Sequence, residues 1–312
     1  MKRAVITGAS GMIGLALIRT LLKEEVEVLA VVRPGSLFNK RIPINEKISI
    51  VECEISHLSD LPKKINVCCD AFFHLAWGGT YGDSRNNLYG QLENVKYTLT
   101  AVEAAEKLGC SVFLGAGSQA EFGRVTDQTK LSDRIPTHPD NGYGIAKLCA
   151  GQMSRAMCKE FHIRHVWTRI LSVYGPCDKP HTMVMSGIIS MLKGDRPKYT
   201  KGEQMWDYLY CDDAARALYL AAEKGRDGGI YCIGSGEVRP MREYIRTIRD
   251  ITNPKMELLF GEIPYYDHQV MYLCADMADL KKDTGFCHMV TFEEGIRRTV
   301  SWCREQKEMG LL

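Results

Sequence analysis

The segment Thr7-Gly8-Ala9-Ser10-Gly11-Met12-Ile13-Gly14 constrains this chain more than any other stretch. Its glycines are spaced Gly-x-x-Gly-x-x-Gly, directly after the apolar run Ala4-Val5-Ile6 and at the start of a helical pattern from Met12 to Lys23. In a strand-to-helix turn the first glycine permits the bend. The second lets the backbone approach a pyrophosphate, and the third lets helix and strand pack closely. The unpaired N–H groups at the helix start then hold the anion. Gly8, Ser10, Gly11, Met12, Ile13 and Gly14 are therefore expected to bind a dinucleotide. The second strand candidate, Val26 to Val32, ends on Arg33-Pro34 with no carboxylate for a ribose 2′-hydroxyl. A guanidinium there suits a 2′-phosphate, so NADP is the expected cofactor and NAD the second choice. Lys40 and Arg41 lie close by in sequence.

The alternation continues. Ile48–Val51, Ala71–Phe73, Val112–Leu114 and His165–Leu171 are further strand candidates, with helix candidates at about Leu88–Leu108 and Tyr143–Phe161. Strands separated by helices indicate βαβ units, and hence an α/β, doubly wound parallel sheet of Rossmann type. Right-handed crossovers place the strand C-termini along one edge, where ligands bind. After residue 172 the alternation weakens and prolines punctuate the chain. Residues 1–172 are expected to form the dinucleotide-binding domain, with a segment of about 205–235 returning to it. Residues 173–312 are expected to form mostly a smaller α/β part that caps the first.

Composition narrows the partners. Lys plus Arg is 40 against 38 for Asp plus Glu, a net charge of +2, which argues against a nucleic-acid or anionic-membrane surface. No stretch reaches the roughly 20 apolar residues of a membrane span, and polar residues interrupt the N-terminal apolar run. A cytoplasmic enzyme is the expectation. The 12 cysteines include no Cys-x-x-Cys pair, so free thiols are expected. The histidines give no metal spacing beyond His162-x-x-His165, and no metal site is expected.

Tyr143 and Lys147 stand four residues apart, on one face of a helix. A cation near a phenol favours its phenolate, which makes Tyr143 a candidate proton donor or acceptor. The fifth strand runs into Gly115-Ala116-Gly117-Ser118, placing the Ser118 hydroxyl at a strand C-terminus where a substrate carbonyl would lie.

With these residues in order, the chain resembles the extended short-chain dehydrogenase/reductase family, in its nucleotide-sugar epimerase/dehydratase branch. The resemblance runs through Thr7–Gly14, Asp70–Ala76, Asn94-Val95, Ser118 with Gly123, Tyr143–Lys147, Arg169–Pro176, Asp207–Asp213 and Gly234-Ser235-Gly236. It implies a Rossmann domain, a C-terminal substrate domain and a homodimer built through a four-helix bundle. It also implies a Ser118, Tyr143 and Lys147 triad. Asn94 matches an Asn that steadies a proton relay. Glu54 and Ile55 fall where the family contacts adenine, and Leu75, Ala76 and Trp77 where it lines the diphosphate and nicotinamide ribose.

The departures narrow the chemistry. The branch's 4,6-dehydratases carry Thr-Asp-Glu from the Ser118 position, where this chain has Gln119 and Ala120 after the serine, so dehydration is not expected. Ala120 also stands where the fucose-synthase type has Cys. Trp206 replaces an Arg and Ser172 an Asn. Trp77, Gln119, Glu121, His181 and Trp206 are candidate substrate contacts, Glu121 alternatively being a solvated acid. The expected reaction is reduction of a nucleotide-linked 4-keto-6-deoxyhexose, with 4-epimerisation as the alternative. A non-sugar ketone reductase and a catalytically silent NADP sensor are further readings.

Overall fold

The computed structural model describes residues 1–125, 128–266 and 269–311. Seven parallel strands form its central sheet: β1 (Arg3–Thr7), β2 (Glu27–Val32), β3 (Ile48–Glu52), β4 (Ala71–His74), β5 (Val112–Ser118), β6 (Arg164–Ile170) and β7 (Gly229–Ile233). Their spatial order is β7-β6-β5-β4-β1-β2-β3. This is the doubly wound order, reversing direction beside β1, so a crevice opens between the C-termini of β1 and β4. The strands read as nearly continuous apolar runs because helices cover both faces. Successive residues nevertheless enter different cores: Ala4 and Ile6 pack with Leu17 and Ile18, whereas Val5 packs with Phe72, Phe113 and Val102.

The helices that matter here are α1 (Met12–Lys23), α2 (Leu88–Lys107), α3 (Gly142–Glu160), α4 (Met183–Lys193), α5 (Cys211–Lys224), α6 (Met241–Thr252) and α7 (Phe292–Glu308). Strand and helix bounds differ from the sequence reading by a residue at several ends, and the strand expected at Val112–Leu114 runs four residues further, to Ser118. The strand expected at His165–Leu171 begins at Arg164, whose N–H is held by the Ser111 carbonyl. The chain returns to the sheet late. Helix α5 packs on α1, with Arg19 Nη2 2.6 Å from Asp212 Oδ1, and leads into β7.

Helices α4, α6 and α7 gather around Tyr174, Tyr208, Tyr244 and Phe292, whose neighbouring rings lie 4.5–5.9 Å apart. Three two-stranded pairs of two or three residues per strand complete this part. Asp207 ties it to the sheet. Its buried carboxylate accepts from the N–H groups of Ser235, Gly236 and Ala275, and from the Ser235 hydroxyl at 2.7 Å.

Candidate active site

Two adjoining cavities fill the crevice. One, of about 440 Å³, is lined by Gly8, Ser10–Gly14, Leu75, Ala116, Arg41 and residues 177–180. The other, of about 370 Å³, is lined by Thr7, Gly8, Ser10, Arg33, Ser36, Phe38, Glu54, Ile55 and Ala76–Gly78. Gly8, Ser10–Gly14, Arg33, Glu54, Ile55 and Leu75–Trp77, which the sequence assigns to the dinucleotide, thus line one groove, and Tyr143 and Lys147, also expected to reach the cofactor, adjoin it through Trp77. Its floor requires glycine. Gly8 has φ +72°, and a Cβ there would lie 2.9 Å from the Ala76 nitrogen; a Cβ on Gly14 would lie 2.3 Å from the Gly8 carbonyl oxygen. Gly11 caps α1 without any side-chain hydrogen bond, so the first N–H groups of the helix remain available to an anion. Thr7 Oγ1 lies 3.0 Å from His74 Nδ1 and accepts from Ala76 N at 3.3 Å, joining the ends of β1 and β4 beneath the groove. Burial pushes the His74 imidazole down to about 3, so it remains neutral there. This cradle fits a dinucleotide: bare helix N–H groups face a groove whose loop packs so closely on α1 and on the end of β4 that only glycine fits at 8 and 14.

At the inner end of the groove, helix α3 presents Tyr143 and Lys147. Asn141 caps it, its side chain accepting from Gly144 N at 3.0 Å. The Tyr143 ring meets Trp77 edge-on, with centroids 6.2 Å apart. Lys147 Nζ donates to the Ala116 carbonyl at 2.5 Å and lies 3.7 Å from the centre of the Trp77 ring. Burial brings this ammonium down to about 7, and the negative charge of Glu121 opposes that shift. The phenol of Tyr143 moves up from its usual value. Burial is the chief cause, opposed by the Ser118 hydroxyl and by the positive charge of Arg85. Ser118, the last residue of β5, accepts from Ala120 N at 3.2 Å and faces the same phenol. The three candidate groups therefore converge at one place.

A further cavity of about 410 Å³ opens beside them, lined by Arg85, Asn86, Gln119, Ala120, Arg124, Asn141, Trp206 and Tyr266 among others. It holds two of the expected substrate contacts, Gln119 and Trp206. Trp206 is half-buried, and its indole N–H donates to Ser172 Oγ at 2.8 Å.

The sequence profile of the NAD dependent epimerase/dehydratase family matches residues 4–234, from the first strand of the sheet to the end of the last. The chain belongs to this family. A dTDP-glucose 4,6-dehydratase of Neisseria meningitidis serogroup B is 26% identical over 341 residues, covering 98% of this chain and 94% of the relative. Among solved structures, a UDP-glucose 4-epimerase with UDP-glucose from Thermotoga maritima superposes with a TM-score of 0.86 at 23% identity, over 98% of this chain and 99% of that one. RMD from Pseudomonas aeruginosa, complexed with NADPH, gives a TM-score of 0.83 at 21% identity, over 98% and 100% of the chains. These structures share the fold.

One residue of this epimerase/dehydratase chain, Glu121, stands elsewhere than the sequence reading put it. Glu121 is neither a solvated acid nor open to a substrate. It is fully buried, its Oε1 accepting from Ser118 N at 2.8 Å and Trp167 Nε1 at 3.0 Å, while Oε2 lies 2.8 Å from Arg169 Nε. Asn94 is buried on α2. Its amide accepts from Gly78 N at 2.8 Å and donates to the carbonyls of Gly78 and Gly90, each at 3.0 Å, so it brackets the loop after β4. His181 is exposed and stacks on Tyr81. Trp77 lines the groove, with its indole N–H donating to Gln91 Oε1 at 2.9 Å.

Trp167, Arg169 and Arg85 were missed. A signal for Trp167 exists: Gly115 and Gly117 share one face of β5, and a Cβ on either would lie 2.2–2.3 Å from the Trp167 indole on the neighbouring strand. A glycine pair on a central strand marks a space that a large neighbour fills.

Proposed function

We propose that this family member reduces a nucleotide-linked 4-keto-6-deoxyhexose, with NADPH bound along the Gly8–Gly14 and Arg33 groove. The observation that carries the reading is the convergence of Ser118, Tyr143 and Lys147 at the inner end of that groove, beside a cavity able to take a sugar. A nicotinamide held there supplies the hydride to the sugar carbonyl carbon. Ser118 donates a hydrogen bond to the carbonyl oxygen. Tyr143, kept protonated at neutral pH by burial, gives its proton to that oxygen as it becomes an alcohol. Lys147, beside Ala116 and Trp77 in the wall, would hold the ribose of the cofactor. Gln119 and Ala120 offer no acid–base pair for elimination of water, which favours reduction over dehydration.

The acceptance of NADPH rests on Arg33, which lines the outer cavity with Ser36 and Phe38. Replacing Arg33 by Ala is expected to weaken NADPH binding about 10- to 100-fold, the worth of one charge-assisted hydrogen bond. NADH binding should change by less than about threefold, there being no 2′-phosphate to lose. Fluorescence titration with both cofactors checks this, and equal losses would overturn the NADP preference.

Epimerisation at C4 is the second reading, favoured by the likeness to 4-epimerases and by the same tyrosine–lysine pair, which serves hydride removal as well as return. Incubation with NADPH and dTDP-4-keto-6-deoxyglucose separates the two. Stoichiometric oxidation of NADPH with formation of a dTDP-6-deoxyhexose is the expected result. A protein that purifies with firmly held NAD, leaves added NADPH unoxidised and interconverts 4-hydroxyl epimers would overturn it. We also propose a homodimer in the cytoplasm. Leu88, Tyr89, Leu92, Ile145 and Met153 expose apolar surface on α2 and α3, the pair that such a bundle would use. No described helix is long and apolar enough to cross a membrane.

A further inference from the structure

The loop that follows β4 is held from two sides. Gln91, buried on α2, donates to the carbonyls of Gly79 at 2.8 Å and Ser84 at 3.0 Å. The Asn86 side chain accepts from Gly142 N at 3.2 Å, at the start of α3. Between these anchors, the single helical turn Gly82–Asn86 delivers the Arg85 guanidinium to the face of the Tyr143 ring, 4.5 Å from its centre. Among the described residues, no carboxylate lies within ion-pair distance of Arg85. The other charged side chains lining the same cavity, Arg124 and Asp140, pair with each other at 3.2 Å.

The remaining charges around the phenol are differently placed. Lys147, on the same helix, lies 5.8 Å from the ring centre, and its ammonium is engaged by the Ala116 carbonyl. Glu121, following β5, is negative and opposes ionisation of the phenol, but it is paired with Arg169 of β6. A lysine brought down to about 7 is partly neutral at physiological pH, whereas a guanidinium keeps its charge at every pH in this range. A planar cation over an aromatic face is also a favourable stack in its own right.

Resting on the reading of Tyr143 as proton donor, we propose that Arg85 is its positioning residue. The guanidinium stacked on the ring supplies the permanent positive charge that lets the phenol release and regain its proton. Arg85 acts through Tyr143 and carries no proton itself.

The test is the ionisation of Tyr143 in cofactor-free protein. It is followed by NMR of tyrosine labelled at Cζ, with Tyr143→Phe assigning the resonance. Arg85→Gln is expected to move that titration up by about one pH unit, the low end of what an opposite charge at this distance produces. Arg85→Lys should recover part of the shift. In turnover of dTDP-4-keto-6-deoxyglucose, the alkaline limb of kcat/KM should move in the same direction while NADPH affinity is unchanged. A Tyr143 titration unmoved or lowered in Arg85→Gln, or no recovery in Arg85→Lys, would overturn the proposal. The NMR measurement needs no substrate. A wild-type protein that fails to reduce the ketone therefore removes the reductase reading while the role of Arg85 is still decided.

Discussion

Tyr143→Phe is expected to slow ketone reduction by about 10²- to 10⁴-fold, the range that a positioned general acid contributes. The substitution removes one oxygen and little else. The ring keeps its edge-on contact with Trp77 at 6.2 Å, and Arg85 still has an aromatic face to stack on. Lys147 keeps its bond to the Ala116 carbonyl, so the groove wall does not move. NADPH affinity should therefore stay within about twofold to threefold of wild type, while the chemical step fails. Single-turnover oxidation of bound NADPH after mixing with the ketosugar, read beside an equilibrium titration of the cofactor, separates the two effects. A single-turnover rate within tenfold of wild type would mean that the proton comes from another group. Loss of cofactor binding would mean that the phenol had been holding the ribose rather than serving the carbonyl.

The parts of this site that were readable in sequence are those in which local backbone geometry dictates the residue. Gly8 must adopt a positive φ and Gly14 must let α1 touch its own loop, so both needs appear as glycines at fixed spacing. Tyr143 and Lys147 are readable because a helix puts residues four apart on one face. Arg33 needed only the end of a strand. Glu121 was not readable. Its burial is decided by Arg169, Trp167 and the Ser118 amide, the first two on a different strand, and an isolated acid in a loop looks the same whether solvated or enclosed. The hold of Asn94 on Gly78 was not readable either, since the course of that loop is set by tertiary packing. Arg85 reaches Tyr143 because Gln91 of α2 holds the loop's carbonyls and the loop's own Asn86 binds the first amide of α3. The two-residue strands Lys198–Tyr199 and Leu259–Phe260 exist because the fold brings them side by side, and no periodicity announces a strand that short.

Glu121→Leu should cost about 3–5 kcal/mol of stability, as removal of one partner from a buried ion pair does. With roughly 2–4 °C per kcal/mol for a domain of this class, Tm should fall by about 10 °C. The environment explains the size of the effect. Arg169 is buried, and among the described residues its Nη1 has no hydrogen-bond partner and its Nε is held by Glu121 alone. The leucine would also strand the Trp167 indole N–H and the Ser118 amide, and a Cβ at Gly117 already marks how little room the pocket has to rearrange. Activity should fall as well, because Glu121 closes a capping box with Ser118 and so sets the direction of its hydroxyl. The double variant Glu121→Leu with Arg169→Leu discriminates charge from shape. If the cost lies in an uncompensated guanidinium, the pair removed together should be less destabilised than the sum of the single variants by about 2 kcal/mol or more. Additive losses in a double-mutant cycle by thermal or chemical denaturation would assign the effect to packing around Trp167. The ion pair would then be incidental to the position of Ser118.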